Sequence, residues 1–179
     1  MIHEDHVHLL QHADLNPGGI WADLGAGSGA FTLALRELVG PDAILYAVDR
    51  DRTRLNELEG AYRARFGDIK NLHIVAAYFS RALDLPPLDG ILMANSLHYF
   101  KDKEKILRQV RNLLKPGGIL LLVEYNVDSG NPWVPYPLSF ESFYAFAPRA
   151  GFSEPRLLAK RPSSFLRELY SAIAYKQEI

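Results

Sequence analysis

Short apolar runs alternate with amphipathic stretches along most of the chain, which predicts strands interleaved with helices. Residues 3–13 set Val7, Leu9 and Leu10 among polar neighbours and read as a leading helix. Residues 20–24 form a buried-strand run, followed by a helix over 28–38 and a stop at Gly40-Pro41. A strand over 43–49 runs into a polar helix at about 51–65, and a further strand follows at 72–76. Beyond Pro86-Pro87 the pattern gives a strand at about 89–94 and a helix over 102–114, with Ile106, Val110, Leu113 and Leu114 at helical spacing. Lys115-Pro116-Gly117-Gly118 reads as the end of that helix, and Ile119–Val123 as a central strand covered on both faces.

The last third has a different texture. Gly130, Pro132, Pro135 and Pro137 leave residues 126–138 unsuited to a helix or an inner strand. A helix over about 139–150 and Gly151-Phe152 come next, then strands over about 155–160 and 168–175. Only Arg161 to Arg167 joins those two strands, too little chain for a parallel crossover, so an antiparallel pair is expected. Alternation earlier in the chain predicts a parallel sheet with helices against it, an α/β fold.

Composition narrows the function classes. With 179 residues the chain is long enough for one domain with its own core, and its net charge of −1 provides no general basic field for nucleic acid. The absence of cysteine removes disulfides, thiolate ligands and thiol nucleophiles together. Residues 1–15 are polar and charged, unlike a signal peptide, and the longest apolar run is too short to span a bilayer, so a cytoplasmic protein is the expectation.

The chemistry is concentrated in residues 20–35. A strand ends at Asp23, Gly25-Ala26-Gly27-Ser28-Gly29 turns the chain, and a helix opens behind it. Glycine lets the backbone turn sharply and approach a ligand, while the helix start directs free N–H groups at the same spot. Twenty residues past Gly29, the second strand ends in Asp49, suitably placed for ribose hydroxyls. This is the pattern of a nucleotide-cofactor site. Counted as G-x-G-x-x-A it admits NAD(P) and an oxidoreductase; counted from Asp23 as acid-x-G-x-G-x-G it admits a different cofactor.

The second count resembles the first motif of class I S-adenosylmethionine-dependent methyltransferases. Other segments are similar to that family in order and spacing: Tyr46-Ala-Val-Asp49, Asn95-Ser-Leu-His-Tyr-Phe100, Leu114-Lys-Pro-Gly-Gly through Glu124, and Ala150-Gly-Phe152. The resemblance covers residues 18–176. It implies a doubly wound, mostly parallel seven-strand sheet with an antiparallel last strand and helices on both faces. It further implies S-adenosylmethionine as cofactor, S-adenosylhomocysteine as product, and one domain over 1–179. Within that domain, 1–17 would be a helical lid, 18–125 the cofactor half, and 126–179 the acceptor half with a closing hairpin.

Carried over by position, Gly25, Ala26, Gly27 and Gly29 would wrap the methionine moiety, with Asp23 nearby. Asp49 would hold the ribose, Arg50 would flank the adenine, and Asn95 would lie beside the cofactor. Many relatives have an aspartate after the third strand for the adenine amino group. This chain has Ala76-Ala77-Tyr78-Phe79, so stacking or backbone groups at Tyr78 and Phe79 would take that part. On the acceptor side, His98 and Tyr99 are the catalytic candidates, with Glu124, Tyr125, Asp128, Trp133 and Tyr136 as further wall residues. A base is needed only for an acceptor that arrives protonated.

A small-molecule methyl acceptor is the expected partner, with no nucleic acid. The leading helix and closing hairpin each offer a face to a second copy of the chain. His8 and His12 share a helix face, but no glutamate follows His8 and no further ligand is identifiable, so no metal is expected. The arginines of the 50–65 segment alternate with Asp51, Glu57 and Glu59 and read as a solvated face. A non-catalytic cofactor- or partner-binding protein of the same fold is the other alternative.

Overall fold

The computed structural model describes residues 1–178. Its strands are β1 (Ile20–Leu24), β2 (Ile44–Asp49), β3 (Leu72–Ala76), β4 (Leu88–Ala94), β5 (Leu114–Tyr125), β6 (Arg156–Pro162) and β7 (Glu168–Tyr175). Its α-helices are α1 (His3–Leu10), α2 (Ala30–Val39), α3 (Arg52–Phe66), α4 (Lys103–Leu113) and α5 (Phe140–Phe146). The strands form one sheet in the order β3-β2-β1-β4-β5-β7-β6. Neighbours from β3 to β5 pair in parallel, whereas β7 runs antiparallel to both β5 and β6.

Strand periodicity sorts the core into two layers. Leu121 and Val123 of β5 join Leu9, Leu35, Leu55 and Leu58 from α1, α2 and α3 on one face. Leu120 and Leu122 join Ile106, Leu107, Val110 and Phe143 from α4 and α5 on the other. Successive side chains of a strand point to opposite faces, so an unbroken apolar run marks a strand covered on both sides. Among the described residues, no helix is long and apolar enough to cross a membrane.

Three local expectations change. The Lys115–Gly118 segment is not a turn ahead of the strand. Leu114 already pairs with Leu88, and the register resumes only at Gly90 opposite Ile119, so these residues bulge from within β5. Lys115 Nζ reaches Asp89 Oδ1 at 2.8 Å, while Asp89 Oδ2 accepts the Ile20 N–H at 2.8 Å, tying β1, β4 and β5 together at their amino-terminal ends. The helix expected to reach residue 150 stops at Phe146, and a short 3₁₀ turn spans Pro148–Ala150. Pro148 has no N–H to continue the ladder and restricts the residue before it. The leading helix likewise tightens into a 3₁₀ turn over Gln11–Ala13.

In this sheet order β1 is flanked by β2 on one side and β4 on the other, although the chain visits β2 and β3 first. That reversal parts the loops leaving the carboxyl ends of β1 and β4. Open α/β sheets bind their ligands in the crevice so formed.

Candidate active site

The loop leaving β1 is built for close approach. Gly25, Gly27 and Gly29 have φ of 87°, 54° and 94°, a region that L side chains seldom occupy. A Cβ on Gly25 would lie 2.5 Å from Ser96 Cβ, and one on Gly29 would lie 2.5 Å from Leu58 Cγ. The Gly25 and Ala26 N–H groups both donate to the Val48 carbonyl, at 2.8 and 3.0 Å, and Ser96 Oγ fastens the β4 loop to Leu24 O at 2.7 Å. Asp49 completes the turn: Oδ2 accepts the Gly27 N–H at 2.8 Å and Oδ1 the Asp51 N–H at 2.9 Å. Each carboxylate oxygen keeps acceptor capacity beyond these bonds.

A cavity of about 720 Å³ opens at this loop. Asp23, Gly25, Ala26, Gly27 and Asn95 line its inner end, and His98, Tyr99, Tyr125 and Trp133 its outer end. Gly29, Asp49, Arg50, Tyr78 and Phe79 are outside the lining. The Tyr78 ring instead has the guanidinium carbons of Arg50 and Arg81 at 6.0 and 5.0 Å from its centroid. Phe79 packs edge-on against Phe100.

The inner end contains unmet polar capacity. Asp23 is buried, and Thr32 Oγ1 donates to its Oδ2 at 2.6 Å, yet its Oδ1 has no partner among the described residues. Burial raises the Asp23 pKa to about 7, opposed by the Thr32 hydrogen bond and reinforced by the Asp49 charge. The Asn95 amide oxygen is buried without a partner too, on a residue held at φ 52°. A buried acceptor left unpaired is costly, so these two oxygens are open to a donor from water or a ligand.

At the outer end Glu124 is fully buried and orients His98. Its Oε1 accepts the His98 backbone N–H at 3.1 Å, and its Oε2 pairs with His98 Nδ1 at 2.8 Å. With Nδ1 engaged, Nε2 is the nitrogen left for chemistry. Tyr99 and Tyr125 stand beside the imidazole, with ring centroids 4.4 and 6.1 Å away. Burial pushes the Tyr125 phenol pKa up, and the Glu124 charge adds to this.

Three expected wall residues lie outside the lining: Glu124, buried against His98, together with Tyr136 and Asp128. The Tyr136 N–H donates to His98 O at 3.0 Å and its carbonyl accepts from Lys103 Nζ at 2.5 Å. Asp128 receives the Ser139 N–H and hydroxyl at 3.0 and 2.8 Å, ahead of α5. Conversely, His6, Phe31, Arg54, Val134, Ser163, Ser164, Phe165 and Leu169 line the cavity without a motif to mark them. Only the closing hairpin and the packing of α1 bring most of these to the β1–β4 crevice.

A family model described as a methyltransferase domain matches residues 22–120, more than half of the chain and all of the segment that carries the loop, Asp49 and His98. The chain belongs to the class I S-adenosylmethionine-dependent methyltransferase family. The dinucleotide reading of the glycine loop gives way to this match. Acetylserotonin O-methyltransferase of Mus musculus is 31% identical to this methyltransferase chain, covering 86% of it and 44% of the relative. The ubiquinone/menaquinone biosynthesis C-methyltransferase UbiE of Vibrio campbellii is 33% identical over 62% of the chain and 42% of its own length. The chain thus spans less than half the length of these curated relatives. In fold it matches the YcgJ protein of Bacillus subtilis, with a TM-score of 0.78 at 15% identity over 99% of this chain and 100% of that one.

The residues present fit the family's cofactor. An ammonium-bearing amino-acid moiety would meet the free Asp23 Oδ1, the glycine turn leaves room for its backbone, and Asp49 keeps acceptor capacity for a diol.

Proposed function

We propose that this chain catalyses S-adenosylmethionine-dependent methyl transfer to a small-molecule acceptor, with His98 as general base. The observation that carries the reading is one cavity bounded at one end by the unpaired Asp23 carboxylate oxygen and at the other by the His98–Glu124 pair. The cofactor supplies an already activated methyl group, so alignment and proton removal are the tasks left to the protein.

Gly25, Ala26 and Gly27 would receive the amino-acid portion, with Asp23 and Asn95 as acceptors. Asp49, which holds the Gly27 and Asp51 N–H groups, would take the ribose hydroxyls, whereas Tyr78 and Phe79, engaged with Arg50, Arg81 and Phe100, are not assigned to the adenine. Glu124 fixes the imidazole tautomer with Nδ1–H toward itself, leaving Nε2 to accept the acceptor's proton. Tyr99, Tyr125 and Trp133 would hold the acceptor in place. The relatives named for acetylserotonin and for ubiquinone/menaquinone biosynthesis support a small organic acceptor.

Methyl-labelled S-adenosylmethionine incubated with a metabolite extract tests this. The native chain should place label in a low-molecular-weight product. His98→Asn should bind S-adenosylhomocysteine unchanged and lose about 10²–10⁴ in rate. Label in protein or nucleic acid alone, or an undiminished His98→Asn rate, contradicts the reading.

A further inference from the structure

The acceptor end of the cavity has a composition of its own. Running outward from the base, His98, Tyr125, Phe165 and Trp133 form a chain of neighbouring rings, with centroid separations of 6.1, 5.8 and 6.4 Å. Tyr99 also lies against His98, with its ring centroid 4.4 Å away. These rings come from four separate segments: the loop after β4, the end of β5, the proline-rich loop and the β6–β7 hairpin.

Exposure is concentrated at the same place. Trp133 is 71% exposed, Tyr99 59% and Phe165 48%, although all three line the cavity. Large aromatic surfaces left in water at a cavity mouth are binding surface, since covering them releases the free energy of apolar burial. The segments bearing them are pinned without a ligand. Asn131 Oδ1 accepts the Trp133 and Val134 N–H groups, both at 2.9 Å, and Ser163 Oγ accepts the Phe165 N–H at 3.1 Å.

Charge is the second observation. The charged side chains lining the cavity are Asp23 and Arg54, both at the glycine-loop end. Around the aromatic rings the polar lining is His98, Tyr99, Tyr125, Ser163 and Ser164, none of them a lysine, arginine or carboxylate. No side chain lining the cavity at these rings offers a countercharge to a carboxylate, phosphate or ammonium on the acceptor.

We propose that the acceptor is an uncharged, planar aromatic alcohol, seated against Trp133 and Phe165 with its hydroxyl at His98 Nε2. The inference rests on the methyl-transfer reading of the site and names its substrate class. The aryl oxygen forms the new bond to the methyl carbon as the carbon–sulfur bond breaks, and that bonding pair leaves with sulfur. The hydroxyl proton goes to His98 Nε2. The products are an aryl methyl ether and S-adenosylhomocysteine, with no oxidant or reductant required.

Calorimetric titration of the S-adenosylhomocysteine-loaded protein with four probes built on one fused bicyclic ring system tests the proposal. They are β-naphthol, decahydro-β-naphthol, hydroxynaphthoate and naphthylmethylammonium. The expected result is that β-naphthol binds about tenfold or more tighter than each of the other three. Trp133→Ala and Phe165→Ala should each weaken β-naphthol by about three- to tenfold while leaving S-adenosylhomocysteine affinity within about twofold.

A blue shift of tryptophan emission on binding, absent in Trp133→Phe, reports contact independently of turnover, because the other tryptophan, Trp21, is buried. Equal affinity for the saturated alcohol overturns the aromatic requirement, and equal or tighter binding of hydroxynaphthoate overturns the requirement for a neutral ligand. Tighter binding of the ammonium would make the wall a cation-binding cage and also overturn the proposal. If all four probes fail while S-adenosylhomocysteine binds, the acceptor class falls and the methyl-transfer reading stands. If S-adenosylhomocysteine itself does not bind, both fall.

Discussion

Asp23 couples folding to pH through one carboxyl group. Its folded-state pKa of about 7 lies above the reference value of 3.8, so the folded chain binds more protons than the unfolded chain between those values. The contribution to stability is therefore fully present below about pH 4 and lost as pH rises through about 7, amounting to on the order of 4 kcal/mol. Asp23→Asn should flatten this part of the stability–pH curve, measured by denaturant melts without ligand. A ligand cation at Oδ1 reverses the balance by favouring the ionised carboxylate. S-adenosylhomocysteine affinity should accordingly rise between about pH 5.5 and pH 8 in the native chain. A flat binding curve would show that Asp23 does not meet the ligand's ammonium.

Glu124 has a comparable position beneath His98. Glu124→Gln leaves one acceptor oxygen for two donors, the His98 N–H and Nδ1–H. Methyl transfer should fall by about 10²-fold or more with cofactor affinity unchanged. Asp23, His98 and Glu124 can all be picked out in the sequence, because each sits at a strand end or just beyond one. Their couplings cannot: Thr32 on α2 reaches back to Asp23 on β1 across the glycine loop, and Glu124 reaches His98 from a neighbouring strand.

Elements hold these groups in register, and two contacts show how. The β1 loop can pass under Ser96 only because Gly25 has no side chain. Gly25→Ala combines a positive φ with a 2.5 Å clash, and should cost about 1–3 kcal/mol of stability and abolish cofactor binding. The second contact is Lys103, buried at the start of α4. Its ammonium bonds Phe100 O at 2.8 Å and Tyr136 O at 2.5 Å, joining the His98 loop to the proline-rich loop. Burial lowers its pKa, while the Glu124 and Asp128 charges act in the opposite direction.

Lys103→Met leaves two carbonyls short of a donor. Thermal unfolding should register a loss of about 1–3 kcal/mol, and the rate should fall without a change in cofactor affinity. Sequence periodicity located α4 and the strand over Ile119–Val123, but not the bulge at Lys115–Gly118. The bulge depends on pairing with Leu88 and on the ion pair to Asp89, both remote in sequence. The end of α5 was missed, because the expected helix ran through Pro148 to about residue 150, although proline lacks the N–H that continues the ladder and restricts the residue before it.

For the whole molecule, the decisive feature is the sheet order. Placing β1 between β2 and β4 gathers the glycine loop, Asp49, Asn95 and His98 at one end of the sheet, and these all lie on segments with recognisable motifs. The antiparallel return of β7 then brings the hairpin tip at Ser163–Phe165 over the same crevice, and α1 delivers His6 to it. Neither contribution has a local signature, because each arises from packing between segments more than a hundred residues apart or from the curl of a hairpin. That difference explains why Asp23, Gly25, Ala26, Gly27 and Asn95 at the inner end could be picked out along the chain and much of the outer end could not. Gly29, Asp49, Arg50, Tyr78 and Phe79, expected with the inner group, lie outside the lining.

The central claim, that the β1–β4 crevice binds this family's cofactor, is tested most directly by calorimetric titration of the native chain and Asp49→Ala with S-adenosylhomocysteine, beside NAD(H). The account predicts saturable binding of S-adenosylhomocysteine, weakened about tenfold or more by the substitution, and no binding of NAD(H). Binding of NAD(H) alone, or S-adenosylhomocysteine binding indifferent to Asp49, would contradict it.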